Sequence, residues 1–357
     1  MLMLKGRNEV LAEMPEPERE KLTRRQFLQS ALMHVAGVGI ACIGVDCAIA
    51  GAFAPFHRRL RKGLIKTREA MHYQRLTGRR VQCRLCPRQC IVSEGERGYC
   101  GVRENRAGTY YSLVYGNPCV IRTDPIEKKP ILHVSPGSKV FTVATAGCNL
   151  NCKYCQNWQI SQARPEDTSN YNLPPDELVA VAQRAKFKFI AFDYTEPVVF
   201  YEYVLDTAKL ARKAGLRVIV ASACFIQPKA MQLLCQHIDV LKVDLKGFSE
   251  KFYRDVCSGK LHPVLQSAKL AKRTGVWVEL VNLIVPSLND DLTEIKQMCE
   301  WIRTELGDDV PITFSRFYPA YRLRNLPPTP VSTVMTAKRI AERMGLRFVY
   351  VGNVPAS

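Results

Sequence analysis

VFTVATAGCNLNCKYCQNW, residues 140–158, opens as a near-continuous apolar run and breaks at Gly147 into a loop that carries Cys148, Cys152 and Cys155. A short apolar run bounded by a glycine predicts a strand buried on both faces, with the cysteines standing just past its C-terminal end. Runs of the same kind return toward the C-terminus as FIAFDY, RVIVASA, VLKVDL, VWVELVNLIV, ITFSRFY and RFVYVG. Between them lie helical patterns such as PPDELVAVAQRAK and YEYVLDTAKLARKAG. Buried strands alternating with amphipathic helices predict an α/β fold, a parallel sheet rolled into a partial or full β/α barrel over residues 136–357. In such a barrel the active residues belong at the C-terminal ends of the strands.

Three thiolates converging on one short loop are suited to an iron-sulfur cluster. A [4Fe-4S] cube has four irons, so three cysteines leave one iron open to another ligand. A structural zinc site is the competing reading, but tetrahedral zinc takes four ligands, usually as two pairs of cysteines rather than a triplet.

The spacing of three and then two residues between these cysteines, with Tyr154 before the last, resembles the radical S-adenosylmethionine superfamily. CRLCPRQC, EGERGYCGVREN, DPIEKKP, TAGCNLNCKYCQNWQIS, YTEP, VDLKGF and VGNVP further resemble the AmmeMemoRadiSam-system radical enzymes and pyruvate formate-lyase-activating-enzyme-like proteins, over roughly residues 70–355. The resemblance implies a partial barrel of the radical SAM type preceded by a small cysteine-rich metal-binding segment. It implies a [4Fe-4S] cluster on Cys148, Cys152 and Cys155 whose open iron chelates S-adenosylmethionine, and reductive cleavage of that molecule to a 5′-deoxyadenosyl radical. A low-potential electron donor and a protein substrate, such as a peptide glycine that gives up hydrogen, are the implied partners.

By the same resemblance Tyr194, Thr195 and Glu196, with Pro197, stand where the second strand ends against the amino group of S-adenosylmethionine, and Asp244 and Lys246 are further contacts. Read from residue type alone, a Glu at a strand end is as readily a surface or capping residue. Asp and Lys two apart read equally as an exposed ion pair worth under about 1 kcal/mol. One stretch departs from the pattern: Ala221, Ser222, Ala223 and Cys224 replace the Thr-Asn-Gly-Tyr-like end of the third strand. A rival reading is therefore an exported electron-transfer or metal-binding protein that has lost radical catalysis, against which the retained Cys148, Cys152, Cys155 and Glu196 count.

Upstream, Cys83, Cys86, Cys90 and Cys100 lie in CRLCPRQCIVSEGERGYC, where Gly95 and Gly98 allow tight turns around an ion. Four close thiols predict a second metal site, either zinc or a second iron-sulfur cluster, with disulfides as the alternative in an exported protein. The preceding EAMHYQRLTG predicts a short helix ended by Gly78. The other seven of the fourteen cysteines lie singly in apolar stretches, where a free Cys behaves as a small hydrophobe.

Residues 1–56 read as a twin-arginine-type signal or membrane tether. Arg24 and Arg25 precede Phe27 and Leu28, and the Gly- and Ala-rich run from Ala31 to Val45 is a better signal-type apolar region than a stable membrane span. HRRLRK at residues 57–62 would suit an anionic lipid surface if the segment stays attached. The net charge of +18 comes from Lys and Arg spread along the whole chain. Without a basic stripe interleaved with aromatics, it predicts a solvated basic surface and no nucleic-acid partner.

Overall fold

The computed structural model describes residues 60–354; the twin-arginine-type segment lies outside the described residues. None of the described helices is long and apolar enough to cross a membrane.

The cysteine-rich segment is built of short antiparallel strands. Leu60–Lys62 is β1, Arg68–Glu69 β2, Tyr73–Arg75 β3, Val81–Cys83 β4, Ile91–Val92 β5, Arg103–Arg106 β6 and Thr109–Ser112 β7. One small sheet has the order β3-β4-β5 and another the order β2-β7-β6. The helix expected over EAMHYQRLTG is corrected here: Tyr73, Gln74 and Arg75 pair with Cys83, Gln82 and Val81 in a hairpin. Gly78 sits in its turn at a φ of +68°, a conformation glycine adopts without strain. Strand pairing with Val81–Cys83 prevails over a short and weak helical periodicity.

Val120–Pro125, β8, lies antiparallel along Lys139–Ala144, β9, and so joins the main sheet. After the short Ser169–Tyr171, β10, which pairs with β1, the strands are Phe189–Phe192 (β11), Arg217–Ser222 (β12), Val240–Asp244 (β13), Trp277–Ile284 (β14), Ile312–Arg316 (β15) and Val349–Gly352 (β16). Their order, β16-β15-β14-β13-β12-β11-β9-β8, is that of an open sheet, with every pair from β9 to β16 parallel. This is the expected partial barrel, and its seven parallel strands are the seven apolar runs read from the sequence.

Helices Pro175–Arg184 (α1), Tyr201–Lys213 (α2), Pro228–Cys235 (α3), Leu261–Arg273 (α4), Leu292–Trp301 (α5) and Val331–Arg343 (α6) occupy the crossovers and bury their apolar stripes. Strand alternation sorts the other face. Ala191, Ile219 and Val240 share one register row, Val140 and Phe189 pair two residues earlier, and Ile126 and Ile131 pack with them in a buried layer. Two residues further along the strands the same face carries Asp193, Ala221 and Lys242, and then Asp244. The period of two thus stacks a dry floor beneath a charged mouth.

Candidate functional site

Cys148, Cys152 and Cys155 leave the end of β9 on one loop, as the sequence places them. Two backbone bonds pin that loop: the Asn151 N–H donates to the Cys257 carbonyl at 3.0 Å and the Lys153 N–H to the Val256 carbonyl at 2.9 Å. All three cysteines line a cavity of about 410 Å³ together with Tyr194, Thr195, Glu196, Asp244 and Lys246. A volume of a few hundred Å³ is that of a small-molecule site. Every residue the sequence proposed for this centre therefore reaches one cavity.

The cysteine thiols line the cavity wall. Among the described residues no three His, Cys, Asp or Glu side chains are gathered closely enough to hold a single metal ion. Burial raises the thiol pKa of Cys148 and Cys155, while for Cys152 the bond its thiol donates to Cys257 is the larger cause, followed by burial. The Leu150 N–H points at the Cys148 sulfur at 3.4 Å, and the Ser161 hydroxyl stands 3.3 Å from the Cys155 sulfur. Such groups stabilise a thiolate once it forms.

Glu196 is 4% exposed, and its three partners are neutral. One oxygen accepts from the Ser222 hydroxyl at 2.6 Å and the Val198 N–H at 3.2 Å; the other accepts from the Ala223 N–H at 2.9 Å. Burial outweighs these bonds and raises the pKa of the carboxyl above the ordinary Glu value. A carboxylate offers about four acceptor sites, so one remains open toward the cavity.

Tyr194 and Thr195 do different work. Thr195 donates its hydroxyl to the Thr145 carbonyl at 2.9 Å, tying the end of β11 to the end of β9. Tyr194 sits at a φ of +65°, uncommon for a bulky side chain, and donates its hydroxyl to Asp124 at 2.7 Å. Asp244 and Lys246, far from being an exposed pair, belong to a ladder of alternating charge around the mouth. Lys246 lies 3.1 Å and Lys242 2.7 Å from Asp244; Lys242 is 4.0 Å and Lys129 3.1 Å from Asp193; Lys129 closes on Asp124 at 3.1 Å. Burial opposes the ionisation of Asp244, but Lys242 and Lys246 outweigh it and lower its pKa to about 2.

Sequence reading missed Ser222, Asp193, Lys242 and Cys257. The signal for the first lay in the departure from pattern at Ala221–Cys224, which provides the hydroxyl and the N–H that brace Glu196. Cys257, read as a lone hydrophobe, is buried against Tyr154 at 3.7 Å and within bonding reach of Cys152.

Cys83, Cys86, Cys90 and Cys100 meet at a separate place, around a small cavity of about 20 Å³. None of the twelve described cysteines forms a disulfide. Beside this cavity Arg103 and Glu202 form an ion pair with each side chain 2% exposed.

The Radical SAM superfamily model matches residues 142–302. An uncharacterized protein of Methanocaldococcus jannaschii is 43% identical over 288 residues, spanning 81% of this chain and 86% of that protein. The pyruvate formate-lyase-activating enzyme of Clostridium pasteurianum is 24% identical over 166 residues, 44% of this chain and 66% of that enzyme. The crystal structure of a radical SAM methyltransferase from Sphaerobacter thermophilus aligns with a TM-score of 0.47 at 16% identity, covering 60% of this chain and 66% of that one.

Proposed function

The chain belongs to the radical SAM superfamily, and from that premise we propose that it is an activating-enzyme-like member of the AmmeMemoRadiSam kind that takes hydrogen from a protein substrate. Membership carries a [4Fe-4S] cluster and S-adenosylmethionine with it. The observation that supports the assignment of residues is the single cavity shared by Cys148, Cys152, Cys155 and the buried, neutrally partnered carboxylate of Glu196.

The residues fit both groups. Three thiols on one loop are the donor set for three irons of a cube. The open acceptor site of Glu196 suits an ammonium, because a buried carboxylate without a cation in contact is costly until one arrives. When bound, the cluster supplies the electron that cleaves S-adenosylmethionine to methionine and a 5′-deoxyadenosyl radical. The chain does the rest: Ser222 and Ala223 aim Glu196, Asp244 and Lys246 offer one acceptor and one donor at the mouth, and the apolar floor excludes water from below.

The activating-enzyme relatives favour a protein substrate, and a low-potential donor must supply the electron. Residues 1–56 act in this reading as a twin-arginine-type signal or tether, supported by Arg24 and Arg25 ahead of the apolar run. The four upstream cysteines hold a second metal centre. The test is deuterium transfer: reduced, reconstituted protein is given S-adenosylmethionine and a candidate protein labelled with deuterium at glycine Cα. Deuterium in the recovered 5′-deoxyadenosine supports hydrogen abstraction from glycine; unlabelled 5′-deoxyadenosine formed in the presence of a labelled, bound partner refutes that choice of acceptor.

A further inference from the structure

Cys257 ends a single π turn, Tyr253–Cys257, in the connection that follows β13. One-turn π segments recur at functional sites. The next residue, Ser258, takes a φ of +55°, and the Gly259 N–H closes back on the Tyr253 carbonyl at 2.8 Å. Lys246 donates its backbone N–H to the Tyr253 hydroxyl at 3.1 Å, which ties the turn to the end of β13.

The turn is fastened to the cluster loop on both sides of Cys152. The Asn151 N–H donates to the Cys257 carbonyl at 3.0 Å and the Lys153 N–H to the Val256 carbonyl at 2.9 Å. Arg88 donates to the Asn149 carbonyl at 2.6 Å and to the Ser258 carbonyl, joining the same two segments. An added Cβ at Gly259 would stand 2.6 Å from the Leu150 side chain, so the two segments pack closely there. The Cys257 sulfur thereby lies 3.7 Å from the Tyr154 hydroxyl and accepts a bond from the Cys152 thiol. Cys257 and Tyr154 are both buried, so water does not compete for these bonds. A cysteine that serves only as a small hydrophobe needs no such partners: burial is the one influence on the equally buried Cys299.

We propose that the Cys257 thiol, backed by the Tyr154 hydroxyl, donates a hydrogen bond to the Cys152 sulfur when that sulfur ligates the cluster, and so raises the reduction potential of the cluster. A thiolate ligand has given up its proton, so Cys152 can then only accept, and the bond runs from Cys257. Tyr154 in turn donates to the Cys257 sulfur, which polarises the S–H and strengthens its bond. Hydrogen bonds to the sulfurs of a cluster favour its reduced, more negative state. Cys257 acts through Cys152 and is a positioning residue rather than a ligand. This role rests on the assignment of the cluster to Cys148, Cys152 and Cys155, and adds to it a residue that sets how readily the cluster takes its electron.

A redox titration followed by electron paramagnetic resonance, on the full chain reconstituted anaerobically without S-adenosylmethionine, tests it. Losing one such bond should change the one-electron equilibrium about fivefold, which places C257A ~40 mV below the parent at 59 mV per decade. C257S keeps a donor and is expected to bring the potential back toward the parent's. An unchanged or raised potential in C257A, or a drop that C257S leaves unreversed, would overturn the proposal. Iron and sulfide are counted first. If C257A loads less cluster than the parent, Y154F decides instead: a potential below the parent's supports the paired donors, and an equal or higher one overturns them. The two readings fail separately. A parent that takes the electron but yields no 5′-deoxyadenosine when S-adenosylmethionine is added refutes the functional reading alone, whereas equal potentials in a cleaving enzyme refute the role of Cys257 alone.

Discussion

Glu196→Gln is the most informative single change. The carboxylate accepts from two backbone N–H groups, Val198 on one oxygen and Ala223 on the other, so an amide in its place must turn its NH₂ toward one of them whichever way it flips. It also loses the charge proposed to receive the ammonium of S-adenosylmethionine. A bond to a charged group is worth about 1.5–3 kcal/mol, so affinity should fall roughly 10- to 150-fold. Ser222→Ala keeps the charge and removes one donor, and the weakening should stay near roughly fivefold for a bond worth about 1 kcal/mol. Anaerobic calorimetry on the cluster-loaded proteins reads both constants. If E196Q binds as tightly as the parent with an intact cluster, Glu196 does not hold the ammonium and the orientation argued for the cavity is wrong.

Glu202→Ala leaves the Arg103 guanidinium buried beside the upstream cysteines with only the Val199 carbonyl at 3.1 Å, and should cost about 3–5 kcal/mol. Urea unfolding at matched metal content checks it, with R103M/E202L expected to recover most of the loss. Burial works against the ionisation of Asp124, but Lys129, Lys128 and Tyr194 lower its pKa from 3.8 to about 2. That depressed pKa contributes roughly 2 kcal/mol of stability above pH 3.8, lost as the pH falls toward 2. The acid unfolding midpoint of D124N should therefore shift less with pH across this window than that of the parent. Burial alone raises the Cys299 thiol from 9.0 to about 12, so its contribution is full below pH 9 and lost as the pH rises through 12. Alkaline titration of C299A should show a shallower fall in stability over that range.

The barrel was legible because its strands are buried on both faces: IAF in β11 and VIVAS in β12 have no exposed residue, so each reads as an unbroken apolar run. Local spacing also revealed the two cysteine groups, since each is confined to a single loop or hairpin. What could not be read depends on contacts between distant segments. Tyr73–Arg75 become strand through pairing with Val81–Cys83, an antiparallel partnership their own periodicity does not encode. β8 mixes Arg122, Thr123 and Asp124 with two apolar residues and takes its place from the six-residue register with β9. Cys257 comes against Cys152 only because the turn after β13 packs on the cluster loop, more than a hundred residues away in sequence. Asp244 and Lys246 were visible as a pair, but their burial was not, because Lys242 and Asp193 that complete the ladder lie on the inward faces of β13 and just past β11.

Product formation under single-turnover conditions tests the central claim most directly. The anaerobically reconstituted protein is reduced, mixed with S-adenosylmethionine, and assayed for 5′-deoxyadenosine and methionine beside Cys152→Ala. The account predicts both products in equal amounts from the parent and neither from the variant. A fully loaded, reduced cluster that yields no 5′-deoxyadenosine would contradict it and leave an iron-sulfur protein without radical chemistry.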